Sequence, residues 1–266
     1  MNISTSTGGA SATTLNLHAR PQCLALDLRR TAVLVIDMQN DYGTEGGLFH
    51  RAGIDLTSIR ATVAPTARVL QTARSVGVPI VYIKAGIRPD LSDLGAPGTP
   101  HGDRWRWYGV GERVTAPDGS ESRILIRDTW NTEIIPELLP RAGDRVVYKH
   151  LYSAFHNTEL DAVLKELGAS HLIVTGCTTS VCVESTIRDA YSRDYSCVLL
   201  EDCTAEPLGE GAGGYTGVPG ATPGRGGTNY DASLVLIQTL FGWISTSEAF
   251  AEAVARHEQQ VSAMEA

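Results

Sequence analysis

No stretch of the sequence is long and apolar enough to span a membrane. The opening residues are rich in Ser, Thr, Gly and Ala, and they lack the basic start and apolar centre of a secretory signal. A basic surplus is missing too. Lys and Arg number 22 against 30 Asp and Glu, so the net charge is 22 − 30 = −8, which argues against a nucleic-acid surface. There is no CxxC pair, no Cys/His cluster at zinc spacing and no GxxxxGK[ST] phosphate loop. The five cysteines are odd in number and follow no framework spacing. A reducing compartment is therefore expected, and with it a cytoplasmic location. No internal repeat is visible. What is present is ordinary for a globular chain: 42% hydrophobic residues, enough for a core that needs no disulfide or metal staple.

The 266 residues divide into an expected flexible tail, 1–25, and a single domain, 26–266. Short apolar runs recur at TAVLVI (31–36), PIVYIK (79–84), RVVYK (145–149), HLIVT (171–175), SCVLL (196–200) and GWI (242–244). Continuous rather than alternating hydrophobicity marks central strands covered on both faces. Helical spacing appears over 57–76, 158–167, from Val181, over 231–241 and from Ser247 to about 255. The predicted fold is α/β, a three-layer α-β-α sandwich around an open, mainly parallel Rossmann-like sheet of about six strands. Gly176 reads as the end of its strand. Residues 85–130 are irregular, with a cluster Arg104-Trp105-Arg106-Trp107-Tyr108 and a short strand expected at 124–126. Those aromatics either line a site or pack against the fold or another subunit. Residues 209–228 hold nine glycines and read as a mobile flap or a surface insertion.

Three chemistry-bearing residues fall at or just past strand ends: Asp37, Lys149 and Cys182. In open α/β sheets that edge is where ligands bind. A carboxylate beside a thiol can take its proton and return it to a leaving amine. A lysine can hold the carboxylate ionised and stabilise a thiolate. Cys182 is expected in the first turn of a helix, where the dipole would make the thiol unusually acidic and backbone N–H groups could hold an oxyanion. Each residue also has a plainer reading. Asp37 could cap a loop, Lys149 could be a solvated strand end, and Cys182 could be a core residue, as Cys177, Cys197 and Cys203 are expected to be.

The segments AVLVIDMQNDY, VVYKHLYSAFHNTEL and HLIVTGCTTSVCVESTIRDAYSRDYSCVLLEDC, in this order, resemble the isochorismatase-like cysteine hydrolases. The resemblance covers roughly residues 25–255. It implies a catalytic triad of Asp37, Lys149 and Cys182, a cis peptide between Cys177 and Thr178, and an oxyanion hole from the N–H groups of Thr178 and Cys182. RPDLSDL and RILIRDTWNTEIIPEL are similar to the biuret hydrolases. CVESTIRDAYSRDY and FGWISTSEAF look like the ureidoacrylate amidohydrolases. Both branches cleave ureido or carbamoyl C–N bonds.

The nicotinamidase metal ligands are absent from IKAGIRPDL, so neither a metal nor a cofactor is expected. Glu206 stands where the ureidoacrylate branch has a glutamine, and the glycine-rich insertion departs from both branches. A cationic or bulkier amide, including a streptothricin-like lactam, therefore stays open beside ureido compounds. The candidate substrate contacts are Gln39, Tyr42, Lys84, Trp105, Trp107, Tyr152, Phe155 and Glu206. The leading expectation is a cysteine amidohydrolase working through a thioester on a small amide or ureido molecule, with water and without nucleic acid or membrane. It is expected to work as a homo-oligomer, a dimer or tetramer. The rivals are an isochorismate-type vinyl-ether hydrolase and a non-catalytic scaffold.

Overall fold

The computed structural model describes residues 13–208 and 228–265. Its strands in chain order are β1 Thr14–Leu17, β2 Leu24–Asp27, β3 Thr31–Ile36, β4 Ile80–Ala85, β5 Arg113–Thr115, β6 Glu121–Arg123, β7 Arg145–Lys149, β8 His171–Cys177, β9 Ser196–Ala205 and β10 Gly242–Ser245. The helices are α1 Asn40–Gly43, α2 Leu48–Arg51, α3 Thr57–Ala61, α4 Val63–Ser75, α5 Pro100–Trp107, α6 Leu160–Glu166, α7 Glu184–Tyr191, α8 Asn229–Leu236 and α9 Ser247–Glu265. Six strands form one parallel sheet in the order β10-β9-β8-β3-β4-β7.

The sheet is central because its strands are apolar on both faces. Every residue of β3 is buried. Its side chains alternate: Val33 and Val35 join a core shared with Val69, Leu70 and Phe250, while Leu34 and Ile36 join one shared with Leu164, Ile187 and Leu234. So α4 and α9 cover one face and α6, α7 and α8 the other. Burying each such side chain contributes about 1.5–3 kcal/mol. The three-layer fold is the one expected from the alternating pattern.

Several boundaries differ from expectation. The described part of the expected tail is structured: β1 and β2 pair antiparallel, and Leu15, Leu17 and Leu26 enter the core. Three apolar side chains in a polar stretch were enough to anchor it. The 57–76 helix breaks at Thr62. Pro65 has no N–H to offer the carbonyl of residue 61, so a new first turn starts at Val63. Residues 124–126 are not a strand. Leu125 adopts φ 53°, and its N–H goes to a buried carboxylate, Asp41 Oδ2, at 2.8 Å. The irregular 85–130 segment contains the helix α5, capped by the Thr99 hydroxyl, and the β5–β6 hairpin. The 231–241 helix begins two residues earlier under a Thr228 cap and ends in a wide turn, Ile237–Phe241. Ser247 is the first residue of α9 rather than its cap; the Thr246 hydroxyl accepts from Ala249 N at 3.1 Å. That helix continues ten residues past Ala255, its buried stripe of Phe250, Ala253, Val254 and His257 facing inward. The 209–228 insertion lies outside the described residues except for Thr228.

Gly176 does not end its strand. Its φ is 117°, and a Cβ there would lie 2.0 Å from the Ile36 carbonyl oxygen. Only glycine lets β8 run this close to β3, so β8 continues to Cys177 beside the end of β3.

Candidate active site

The strand order reverses at β3. The chain builds β4 and β7 on one side, then returns to place β8, β9 and β10 on the other. Such a switch point opens a crevice at the carboxyl ends of the strands. Asp37 leaves β3 with φ 54°, a left-handed conformation that aspartate tolerates better than most residues. Its N–H donates to Ile83 O at 2.9 Å. Across the crevice β8 runs into Thr178 and a wide turn, Thr179–Val183, that carries Cys182 ahead of α7. Lys149 ends β7.

These three side chains meet. Lys149 Nζ lies 2.7 Å from Asp37 Oδ2 and donates to Cys182 Sγ and Leu151 O, both at 3.2 Å. The ammonium thus makes two hydrogen bonds and an ion pair. Asp37 Oδ1 accepts from Ala85 N at 3.0 Å, which fixes the carboxylate against β4. Both charged groups are almost fully buried. Burial works against the Lys149 ammonium, but Asp37 and the Cys182 sulfur outweigh it and hold its pKa above the ordinary lysine value. The peptide between Cys177 and Thr178 is cis.

The thiol is not acidic. Burial pushes the Cys182 pKa up, the Asp37 charge pushes it further, and Lys149 only opposes them. This overturns the expectation of a thiol acidified by its helix. A dipole contributes about 0.3–1 kcal/mol, whereas burying a charge costs several. The wide turn also sets Cys182 before the regular helix rather than inside its first turn. Burial and the Asp37 charge thus favour the protonated thiol in the resting site, with Lys149 donating to its sulfur.

Above the triad lies a cavity of about 180 Å³. Tyr42, Leu48, Phe49, Trp105, Tyr108 and Tyr152 wall it. Trp105 meets Tyr152 edge-on at 6.0 Å and Tyr42 meets Phe49 at 4.9 Å. Pockets for drug-sized ligands run from roughly 300 to 1,000 Å³, so this one fits a small molecule. Of the expected contacts, Tyr42, Trp105 and Tyr152 line it, together with Cys177, Thr178 and the triad residues Asp37 and Cys182.

The other expected contacts are placed elsewhere. Gln39 is buried as a clamp, donating to Ala85 O at 2.9 Å and accepting from Ala85 N at 2.7 Å. Lys84 stacks over Tyr148. Phe155 packs against Tyr195 in the core. Trp107 is exposed beside Tyr108. Glu206 is buried; its carboxylate accepts from Ser180 N at 2.7 Å, from the Ser180 hydroxyl and from Leu208 N at 3.0 Å. It steadies the turn that carries Cys182 and does not line the cavity.

Sequence reasoning missed Arg104 and Tyr108 as wall residues. Once α5 is known the signal is plain: 104, 105 and 108 share one helical face, and 107 does not. Asp41 was missed as well. It accepts from Leu48 N at 2.9 Å, from Leu125 N and from Asn131 Nδ2, tying three loops around the site together. Among the described residues no cluster of three or more His, Cys, Asp or Glu side chains is placed to hold a metal ion, and no helix is long and apolar enough to cross a membrane.

The sequence profile of the Isochorismatase domain matches residues 31–214, a span that includes the three triad residues. The chain belongs to the isochorismatase family. Relatives include a ureidoacrylate amidohydrolase RutB of Variovorax paradoxus (strain S110), 36% identical over 239 residues that cover 90% of this chain and 87% of that one. A second, from Methylorubrum extorquens (strain DSM 6343 / CIP 106787 / DM4), is 34% identical over 244 residues, covering 92% of this chain and 90% of its own. Among solved structures, a cysteine hydrolase from Pseudomonas syringae pv. phaseolicola 1448A aligns with a TM-score of 0.71 at 30% identity, over 87% of this chain and 95% of that one. An N-carbamoylsarcosine amidase from Thermoplasma acidophilum shares the fold, with a TM-score of 0.56 at 24% identity over 82% of this chain and 97% of that one. This isochorismatase-family chain is a hydrolase acting on carbon–nitrogen bonds outside peptides.

Proposed function

We propose that the protein is a cysteine amidohydrolase that cleaves a ureido or carbamoyl C–N bond of a small molecule. The observation that carries this reading is the contact of Asp37, Lys149 and Cys182 beneath a small cavity. Asp37 takes the thiol proton, and the thiolate adds to the ureido carbonyl. The N–H groups of Thr178 and Cys182 hold the oxyanion. The intermediate collapses, Asp37 gives its proton to the departing nitrogen, and a carbamoyl thioester remains on Cys182. Water, losing a proton to Asp37, cleaves the thioester to carbamate, which breaks down to ammonia and carbon dioxide. The proton returns to the sulfur. Lys149 keeps a positive charge beside both anionic forms throughout.

The relatives named ureidoacrylate amidohydrolase support a ureido acid as the substrate class. A vinyl-ether hydrolysis has no use for the sulfur that Lys149 contacts. The cationic-lactam reading loses its main argument, since Glu206 is turned to Ser180 and the cavity is small. Ammonia release from ureidoacrylate, with mass spectrometry of the quenched enzyme, tests the reading. Cys182→Ala and Cys182→Ser are expected to fold and to abolish both turnover and the carbamoyl adduct. Near wild-type ammonia release by either variant would reject covalent catalysis.

A further inference from the structure

We infer that Arg104 is the anchor for a carboxylate on the substrate, and so the residue that selects ureido acids over neutral ureides. The inference rests on the amidohydrolase reading for its substrate and on the cavity for its geometry. Among the described residues, the other charged side chain that lines this cavity is Asp37, and it is paired with Lys149 beneath. Arg104 lines the same cavity, is half-buried, and has no side-chain hydrogen bond or ion pair among the described residues. Among the described residues, Arg104 therefore leaves one uncompensated positive charge at the cavity, in a wall that is mostly aromatic and aliphatic.

A guanidinium taken partly out of water and left unpaired is unfavourable, and an incoming carboxylate offsets that cost with a bidentate pair. The neighbouring Trp105 points to the same chemistry. Its indole N–H is buried with no partner among the described residues. Arginine and tryptophan side chains can only donate, so the ligand end they favour is an acceptor-only group. Arg104, Tyr152 and Cys182 line the same small cavity, so the anchor and the nucleophile face one space. In this reading a small ureido acid lies in the cavity with its ureido carbonyl at the sulfur and its carboxylate at Arg104, both of which line it.

Two alkylating reagents of the same shape and opposite character provide the decisive test: iodoacetate carries the carboxylate and iodoacetamide does not. Their rates at Cys182, read on its peptide by mass spectrometry, give an acid-to-amide ratio for each enzyme. Arg104→Met is expected to lower that ratio by roughly 10- to 100-fold, and Arg104→Lys to restore part of it. Kinetics on ureidoacrylate and its methyl ester, followed by ammonia, should show the same fall in the acid-to-ester ratio, carried by KM rather than kcat. The lysine variant guards against a fold defect in the methionine one. An unchanged labelling ratio in Arg104→Met overturns the anchor, whatever the substrate proves to be. A fallen ratio in an enzyme that releases no ammonia from any ureido acid supports the anchor and rejects the ureido reading instead.

Discussion

At the scale of residues, the site rests on an unequal contest over one proton. Cys182 sits near a cation, yet burial and the Asp37 carboxylate keep its thiol protonated. In the proposed mechanism such a nucleophile is made only when a base takes the proton, so Asp37 has two opposed effects: it removes the proton and its charge discourages the thiolate. Asp37→Asn separates them. Turnover should fall by about 10²–10⁴-fold, because the amide cannot act as base. The pH midpoint of iodoacetamide labelling should start above that of free cysteine in the wild type and move down in the variant, because a charge that raised it has gone. A midpoint that rises in Asp37→Asn would contradict this account of the thiol. The identity of the three residues was legible in the sequence, since each follows an apolar run. The acidity of the thiol was not, because it depends on burial and on the Asp37 charge, which comes from a strand far away in the chain.

At the scale of elements, the decisive piece is the junction of β3 and β8. Ile36 pairs with Gly176, which sets Asp37 beside Cys177. Sequence patterns found the body of each strand because Val, Ile and Leu runs are unambiguous. They misread Gly176 as a stop, since a glycine after a strand looks the same whether it turns the chain or lets two backbones close up. Helix α5 was hidden for a different reason: its Arg, Trp and His residues carry no clean apolar period. Gly176→Ala tests the close approach. With a methyl aimed at the Ile36 carbonyl the strands must separate, and a loss on the order of 3 kcal/mol is expected in urea unfolding. Activity should fall more than stability alone explains. A variant within 1 kcal/mol of wild type, about 2–4 °C or less in thermal midpoint for a domain this size, would show that the approach is dispensable.

At the scale of the whole molecule, Asp41 links loops that are far apart in the chain, and it does so as a buried carboxylate whose pKa is raised to about 6. Burial is the cause, only partly offset by Asn131, Leu48 and Leu125. The sign follows from linkage. The folded state holds this proton more tightly than the unfolded chain, so the contribution is fully present below about pH 4 and is lost as pH rises through about 6. It runs against the ordinary acid denaturation caused by the other carboxylates. Asp41→Asn should be less stable than wild type at acid pH, having lost an acceptor. The gap should narrow by on the order of 2–3 kcal/mol between pH 4 and 6.5. Urea midpoints across that range provide the check, and a gap that widens with pH would reverse the assignment.

The reversal of strand order has a further consequence. The stretch from Thr31 to Lys149 lays down β3, β4 and β7 as three neighbouring strands, and it already contains the base and the ammonium. The sulfur belongs to the remainder, which docks along the other flank of β3. Under the proposed mechanism, the chain through Lys149 therefore holds both charges of the site and lacks its nucleophile. The sulfur joins the two charges only across the seam where β8 lies along β3.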